Sequence, residues 1–247
     1  MAARAHPTAH AVRRAGFAPR VVLAVDVGGT HVKVRRSSDT EVFEIASGKR
    51  MTAARMVERV RETPAGRAYD AVSIGYPGVV RAGKPLHEPF NLGAGWVGFD
   101  FADAFGRPAI VINDAAMQAW GAYRGGRMLF LGLGTGLGSA VIVDGVLEPM
   151  ELAHLPYRKG RTYEDYAGKA GLRRLGKKKW RKHVTKIVEQ LREALEVDDV
   201  VIGGGNARRL EPLPDGVRRR SNADAFTGGF KLWRHRPAVD AAARAVT

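Results

Sequence analysis

The sequence contains no cysteine among its 247 residues. Disulfide bonds and metal sites built on thiolates are therefore excluded. Hydrophobic runs are also short. Nothing near the start reaches the roughly 7–15 consecutive apolar residues of a secretory signal, and no run approaches the roughly 20 that a membrane-spanning helix needs. These absences predict a soluble, cytoplasmic protein without a membrane partner.

Acidic residues are few relative to basic ones. The chain has 25 Asp and Glu against 40 Lys and Arg, which gives a formal net charge of +15 and an isoelectric point near 10.5. Such an excess attracts polyanions, and nucleic acid, a phosphate polymer or a nucleotide would all be favoured. A charge that merely aids solubility is the remaining alternative. Two stretches, residues 173–182 and 218–220, concentrate the basic side chains.

The first half of the chain alternates short apolar runs with turns. Residues 1–18 are Ala-rich and basic, and we expect a disordered tail there. The patterns that follow predict an antiparallel meander of three strands, one amphipathic helix and a further buried strand. In chain order these are Val21–Val25, Val32–Arg36, Glu41–Ile45, Thr52–Thr63 with Ala53, Met56, Val57 and Val60 on one face, and Ala71–Gly75.

The second half repeats this βββαβ order. Its predicted elements are Met128–Leu133, Ser139–Val143, Val146–Leu147, a helix from about Lys179 to Leu195, and Val200–Ile202. The repetition predicts two similar lobes, residues 19–112 and 113–247, with the last helix either in its own lobe or packed back on the first. Ligands of open α/β sheets bind beyond the carboxyl ends of the strands, so the expected site is a cleft between lobes.

Each half carries a glycine-rich turn directly after a strand. The turns are DVGGTHVK, with Asp26, Gly28, Gly29, Thr30 and Lys33, and GLGTGLG, with Gly134, Thr135 and Gly136. Glycine lets backbone N–H groups approach phosphate oxygens, and the threonine hydroxyls are further donors. One such turn is usually a hairpin, but two at equivalent positions are far more specific.

These segments resemble the phosphate motifs of the actin-like kinases, and their order and spacing are similar to those of the ROK sugar kinases. The strand ending in Gly203, Gly204, Gly205 and Asn206 resembles the adenosine motif. The sequences GYPGVV at 75–80 and VDGVL at 143–147 are most similar to the polyphosphate glucokinase branch. The resemblance covers residues 20 to about 232 and implies an actin-like ATPase (ribonuclease H-like) α/β fold, with two duplicated βββαβ lobes around a cleft.

The resemblance also implies roles for single residues. Asp114, after the strand Ala109–Ile112, would be the base that accepts the proton of a sugar hydroxyl. From the residues alone, the pair Asn113–Asp114 is more typical of a helix N-cap. The family's sugar contacts correspond to Asn91, Asn113, Glu151, His154 and Glu164, with Ala153 standing where the family's element has glycine. Zinc-bearing members carry cysteines just before the last of these, so no structural zinc is expected here.

Asp26 would hold Mg²⁺, directly or through water, while Lys33 either faces phosphate or solvates a strand edge. The implied function is a glucokinase that transfers a phosphoryl group from polyphosphate, ATP or both to the 6-hydroxyl of glucose, with mannose as the other hexose considered. A homodimer is expected, and nucleic acid is disfavoured as a partner. The alternative is a ROK-type sugar-binding regulator or a catalytically silent kinase homologue.

Overall fold

A computed structural model describes residues 18–234, so the tail predicted for residues 1–18 lies outside the described residues except for Ala18. Within this range the chain divides into two compact units. Unit 1 comprises residues 18–117 and 229–234, and unit 2 comprises residues 118–228. The boundary therefore falls inside a helix that begins at Asp114, and a later helix returns its last residues to unit 1.

The strands and helices are numbered in chain order. The strands are β1 (Val22–Val27), β2 (His31–Arg36), β3 (Phe43–Ala46), β4 (Ala71–Tyr76), β5 (Val80–Arg81), β6 (Lys84–Pro85), β7 (Ala109–Asn113), β8 (Arg127–Leu133), β9 (Leu137–Val143), β10 (Val146–Met150), β11 (Pro156–Arg158), β12 (Arg161–Thr162), β13 (Asp199–Gly203) and β14 (Val217–Arg219). The helices are α1 (Ala53–Glu62), α2 (Phe101–Phe105), α3 (Asp114–Ala122), α4 (Tyr163–Ala167), α5 (Lys169–Leu195) and α6 (Ala223–Arg234).

Each unit is built on a five-stranded mixed sheet, and the two sheets share one strand order. The order is β3-β2-β1-β4-β7 in unit 1 and β10-β9-β8-β13-β14 in unit 2. In both sheets the first three strands of the unit form an antiparallel meander. The fourth strand of the sheet pairs parallel with the first strand of the meander, and the fifth pairs parallel with the fourth. This repetition confirms the duplicated α/β fold expected from the sequence.

Helix α1 covers the apolar face of the sheet in unit 1. Its buried residues are the four predicted from the sequence, Ala53, Met56, Val57 and Val60. The hydroxyl of Thr52 caps the helix by accepting a hydrogen bond from the backbone N–H of Arg55. These side chains join the core formed by the strand residues of the same face, such as Leu23, Val25 and Ile74. Burial of this face fixes the register of the strands that carry the first glycine turn.

The opposite face of the same sheet is covered by the end of α6. The hydroxyl of Ser73 on β4 donates to the carbonyl of Gly229 at 2.7 Å and accepts from the indole N–H of Trp233 at 2.9 Å. Gly229 must be glycine for this contact, because a Cβ there would lie 2.9 Å from the Cβ of Ala24. The close approach anchors the end of the described chain on the centre of the sheet.

Helix α5 is longer than the sequence pattern predicts. It begins at Lys169, about ten residues before the predicted start, and it is broken at Gly176, where φ is 71° and ψ is 161°. The sequence pattern predicted the part after this break. It missed the short part before it, where Leu172 and Leu175 are the large apolar residues and are too few to show helical periodicity. Among residues 18–234, no helix has the length and apolar character that crossing a membrane requires.

Candidate functional site

The first glycine turn joins β1 to β2 in unit 1. The backbone N–H of Gly28 donates to the carbonyl of His31 at 3.0 Å and closes the turn. A Cβ on Gly29 would lie 2.9 Å from the Cβ of Asn91, so the side chain of Asn91 packs directly against the glycine. Thr30 at the tip is exposed. The structure therefore brings Asn91, expected to contact sugar, onto the turn expected to contact phosphate.

Asp26 and Lys33 face each other across the β1–β2 pair. Asp26 is partly buried. Desolvation raises the pKa of its carboxyl from 3.8 to about 6, with the positive charge of Lys33 acting in the opposite direction. Lys33 also forms an ion pair with Glu44 on the neighbouring strand, with Nζ 3.1 Å from Oε1. The ammonium group thus already has two carboxylates beside it, which weakens its expected role as a phosphate contact.

The raised pKa of Asp26 makes stability depend on pH. The unfolded chain releases the proton near pH 4 and the folded chain only near pH 6, so the folded state binds more protons in between, and stability falls as pH rises through that window. The loss amounts to about 3 kcal/mol above pH 6. We therefore expect Asp26→Asn to be more stable than the wild type above pH 6, and this difference to vanish towards pH 4. Urea unfolding over this pH range measures it.

The exposed Asp103 of α2 provides a matched control for that measurement. Asp103→Asn removes the same charge from the same unit, but at an exposed position where no desolvation is relieved. The interpretation is wrong if the stability gained in Asp26→Asn is the same at pH 4 and pH 7, or if Asp103→Asn reproduces its pH dependence.

Strand β7 passes directly into α3, and the junction carries Asn113 and Asp114. The side-chain oxygen of Asn113 accepts from the backbone N–H of Ala116 at 3.0 Å, and its amide nitrogen donates to the carbonyl of Gly78 at 3.1 Å. Asn113 is therefore the N-cap of α3, and Asp114 is the first residue inside the helix. Asp114 is therefore not the N-cap. Its partly buried side chain accepts a hydrogen bond from the backbone N–H of Ala115.

The neighbouring strand leaves room for this junction. Gly75 on β4 pairs with Asp26 on one side and with Ile112 on the other. A Cβ on Gly75 would lie 2.5 Å from the Cε of Met117 and 3.4 Å from the Cα of Asp114. Because paired residues of parallel strands direct their side chains to the same face, Asp26 and the start of α3 share one face of the sheet.

The residues around Asp26 fit a magnesium ion bound to phosphate. Mg²⁺ keeps several waters and is typically held by one or two carboxylates together with substrate phosphates, so it needs no closed protein cage. Among residues 18–234, no group of three or more His, Asp or Glu side chains is placed to hold a metal, and Asp26 is the carboxylate at the turn. When bound there, the ion would neutralise phosphate charge.

In unit 2, the second glycine turn joins β8 to β9 and is held by Glu164 of α4. One carboxylate oxygen of Glu164 accepts from the backbone N–H of Leu137 at 3.1 Å. A Cβ on Gly136 would lie 2.1 Å from that same oxygen, so glycine is required for this contact. The carbonyl of Thr135 accepts from the N–H of Lys169, which ties the turn to the start of α5. Glu164, expected to contact sugar, thus positions the second glycine turn, which is expected to contact phosphate.

The third glycine segment ends the adjacent parallel strand, β13, and lies against the second turn. Gly203 pairs with Gly132, and Asn206 donates from its side chain to the carbonyl of Gly134 at 2.9 Å and from its backbone N–H to the carbonyl of Leu133 at 2.8 Å. Gly204 has φ 83°. The two segments that the sequence predicts to bind nucleotide are therefore directly hydrogen-bonded to each other.

A cavity of about 590 Å³ opens beside the third glycine segment in unit 2. It is lined by Gly204, Gly205, Ala207, Arg208, Arg219, Arg220, Ser221 and Asn222. The sequence indicated only the glycines as ligand contacts, and Arg219 and Arg220 only as members of a basic cluster. The cavity size and the adjacent basic side chains suit a nucleotide. The polar residues that the sequence reasoning missed are Arg208, just after the third glycine segment, and Ser221 and Asn222, between β14 and α6, and they carry no motif of their own.

The remaining two predicted sugar contacts lie on a short turn after β10. Residues Leu152–His154 form one turn of 3₁₀ helix, and Nε2 of His154 lies 3.5 Å from Oε2 of Glu151, with both side chains exposed. The hydroxyl of Ser139 on β9 anchors this turn by accepting from the N–H of Leu152. Ala153 is buried within the turn, so alanine is accommodated where the family's element has glycine.

Comparison with known proteins adds a family assignment to this geometry. Residues 22–148, just over half of the chain, match the model of the ROK family. The polyphosphate glucokinase of Mycobacterium tuberculosis (strain CDC 1551 / Oshkosh) is 30% identical over 155 residues, which cover 57% of this chain and 58% of that protein. The N-acetylmannosamine kinase of Citrobacter koseri is 30% identical over 141 residues, or 51% of this chain and 48% of that protein.

The chain thus spans about half the length of the curated relatives it matches. A solved structure covers more of it. The crystal structure of inorganic polyphosphate/ATP-glucomannokinase from Arthrobacter sp. strain KM superimposes with a TM-score of 0.68 and 25% identity, covering 88% of this chain and 99% of that one. The fold expected from the sequence is confirmed by this likeness.

Proposed function

The chain belongs to the ROK family, and from this premise we propose that it is a sugar kinase that phosphorylates the 6-hydroxyl of glucose with ATP or polyphosphate as donor. The observation that carries the proposal is the junction of β7 and α3. Asn113 caps the helix there, so the next residue, Asp114, is a carboxylate at the carboxyl end of a parallel strand, where α/β enzymes place catalytic groups.

In the proposed reaction, the carboxylate of Asp114 accepts the proton of the sugar 6-hydroxyl as that oxygen attacks the terminal phosphorus of the donor. The bond from phosphorus to the bridging oxygen breaks, and the leaving group is ADP or a polyphosphate shortened by one unit. Asn91 offers hydroxyl groups a donor and an acceptor, and Asn113 keeps a second amide hydrogen beyond the one given to Gly78. Glu151, His154 and Glu164 remain predicted sugar contacts.

In unit 2, the groups proposed to bind the phosphoryl donor are the backbone N–H groups of the second glycine turn. Phosphate oxygens would accept hydrogen bonds from this turn, whose glycines allow close approach. ATP would place its adenosine in the cavity of about 590 Å³ beside Gly204 and Gly205. Polyphosphate has no base to fill that cavity and would depend on charge alone, which the net charge of +15 favours.

A coupled assay that crosses three acceptors with two donors tests this function. We expect glucose to be phosphorylated with at least one of ATP and polyphosphate, and the pattern over glucose, mannose and N-acetylmannosamine to define the acceptor. The salt dependence separates the donors, because a polyphosphate held by charge should show a KM that rises steeply with ionic strength. Sugar binding without phosphoryl transfer would favour the alternative, a sugar-binding regulator or a silent homologue.

Three further expectations accompany this proposal: a homodimer, a cytoplasmic location and Mg²⁺ as the cofactor at Asp26. Each remains a prediction. Dimerisation is measured by light scattering, and the cofactor by the loss of transfer on chelation and its recovery with Mg²⁺.

A further inference from the structure

A second pocket of unit 2 is lined almost entirely by basic and aromatic side chains. It has a volume of about 310 Å³ and is bordered by the β11–β12 hairpin, α4 and the first part of α5. Its lining residues are Arg158, Lys159, Arg161, Tyr166, Arg174, Leu175 and His183. None of these side chains has a role in the proposed reaction.

The hairpin concentrates positive charge at its tip. Lys159 and Gly160 form a two-residue turn with φ of 51° and 66°, which is the geometry of a type I′ hairpin. This turn places Arg158 directly opposite Arg161. Like charges directly opposite each other on paired strands are destabilising, so the fold bears an electrostatic cost at this point.

The other wall of the pocket adds two more nitrogen-bearing groups on an aromatic floor. The guanidinium of Arg174 lies 4.9 Å from the ring centre of Tyr166 and donates to the carbonyl of Asp165 at 2.7 Å. The Nδ1 atom of His183 is hydrogen-bonded to the hydroxyl of Tyr157 at 3.0 Å, which leaves its Nε2 atom for another partner. These contacts fix the two side chains before any ligand arrives.

Two carboxylates of α4 lie near the pocket, and both are hydrogen-bonded to backbone N–H groups. That of Asp165 accepts from the backbone N–H of Thr162 in the capping box of α4, and that of Glu164 holds the N–H of Leu137. The pKa of Asp165 is lowered mainly by its hydrogen bonds with Thr162 and further by the charges of Arg161 and Arg174, so this carboxylate offsets part of the positive charge. Burial, followed by the charges of Arg158, Arg174 and Lys186, lowers the pKa of His183. The basic side chains therefore add to the effect of burial on this pKa, and an anion bound beside them would offset their charge.

From this arrangement we infer that the pocket is a second anion site, which binds a small, multiply charged phosphate compound. Arginine forks pair with phosphate oxygens through two parallel hydrogen bonds, and a volume near 300 Å³ is at the small end of ligand pockets. A condensed phosphate or a sugar phosphate fits this description, whereas a nucleic-acid strand would need an extended groove.

This site is distinct from the second glycine turn but is connected to it through α4 and through the start of α5. Glu164 contacts the second glycine turn, and Tyr166 lines the pocket. Residues two positions apart on a helix point to nearly opposite sides of it, so these two side chains leave α4 in different directions. A ligand in the pocket would therefore act on the second glycine turn by moving α4 or the start of α5, whose Lys169 N–H donates to the carbonyl of Thr135. The site is thus placed for a regulatory ligand rather than for the transferred phosphoryl group.

Isothermal titration with tripolyphosphate, in the absence of sugar, tests the inference on the whole chain. The test variant is Arg158→Ala/Arg161→Ala, and the matched control is Lys177→Ala/Lys178→Ala, which removes the same charge from exposed positions of α5 outside the pocket. We expect the test variant to weaken one binding event by about tenfold or more, and the control to remain within about twofold of wild type. Orthophosphate and glucose 6-phosphate titrations then distinguish the sources of the phosphate group.

The test variant should also be at least as stable to urea as the wild type without ligand, because it removes the opposed Arg pair. Equal weakening in both variants would mean that tripolyphosphate binds through the general positive charge of the protein and not at this pocket, which would overturn the inference. Unchanged binding in the test variant would overturn it as well. A short oligothymidylate is titrated in parallel. If its binding, and not that of the phosphate compounds, depended on Arg158 and Arg161, the pocket would be a nucleic-acid site and the inference would be overturned. All of these readouts are independent of kinase activity, so failure here leaves the proposed function untouched.

Discussion

Asp114→Asn is expected to lower kcat for phosphoryl transfer by about 10²–10⁴-fold, the range that a positioned general base contributes. Asparagine keeps the shape of the side chain but cannot take the hydroxyl proton at neutral pH. The helix should survive, because its cap is Asn113, whose side chain accepts from the N–H of Ala116. The measurement is a coupled assay at saturating sugar and donor, with the midpoint of thermal unfolding recorded for each variant.

The exposed Asp103 of α2 again offers a matched control, because Asp103→Asn makes the same chemical change in the same unit. Its kcat should stay within about twofold of wild type. Wild-type activity in Asp114→Asn would remove the assigned base. If Asp114→Asn were inactive and also unfolded, Asp114 would be structural and the assignment would lose its support.

Gly204→Ala is expected to lower the free energy of unfolding by about 2–4 kcal/mol, through left-handed backbone strain and overpacking. Gly204 has φ 83°, a conformation that an L-residue with a Cβ adopts at a cost. The added Cβ would also lie 2.6 Å from the carbonyl carbon and oxygen of Leu133. These are backbone atoms of a buried strand end and cannot rotate away. Urea unfolding measures the loss.

The adjacent Gly205 is the control for this substitution. Its φ lies outside the left-handed region, and of the described atoms outside its immediate chain neighbours none would lie within 4 Å of its Cβ. Gly205→Ala should therefore change the free energy of unfolding by less than about 1 kcal/mol. Equal losses at the two positions would mean that glycine is needed at this segment for reasons other than the contact with Leu133.

Local patterns predicted the parts of the fold that depend on local physics. The buried face of α1 could be named residue by residue, because its apolar positions repeat with helical spacing. The glycine turns were also located correctly after their strands. The recurrence of one pattern in both halves predicted the duplicated fold, which the shared strand order of the two sheets then confirmed.

The sequence could not assign partners that are distant along the chain. The hydrogen bond between Glu164 and Leu137 spans 27 residues and carries no local signal. The basic cluster at 218–220 shows the same limit. Arg218 pairs with Asp199, whereas Arg219 lines the cavity, because neighbours on a strand point to opposite faces. In the sequence these arginines form one basic cluster, and their different contacts become visible only in the folded sheet.

The choice of the helix cap was a subtler limit. Asn and Asp are about equally good N-caps, so residue type alone does not say whether Asn113 or Asp114 caps α3. The position at which the preceding strand ends decides it. Strand β7 continues through Asn113, and this single residue of strand length moves Asp114 from the cap into the first turn. One register step of this kind depends on pairing with β4, which no local pattern reports.

The contact between Glu164 and the second glycine turn has a consequence for how such a protein can diversify. One carboxylate oxygen of Glu164 holds the second glycine turn through Leu137. In the proposed function this turn binds the phosphoryl donor, and the same side chain also recognises the sugar. A lineage that exchanged one phosphoryl donor for another by reshaping this turn would therefore shift its sugar preference in the same step. Donor choice and acceptor choice would be inherited as a linked pair of traits, and engineering one of them would call for screening both.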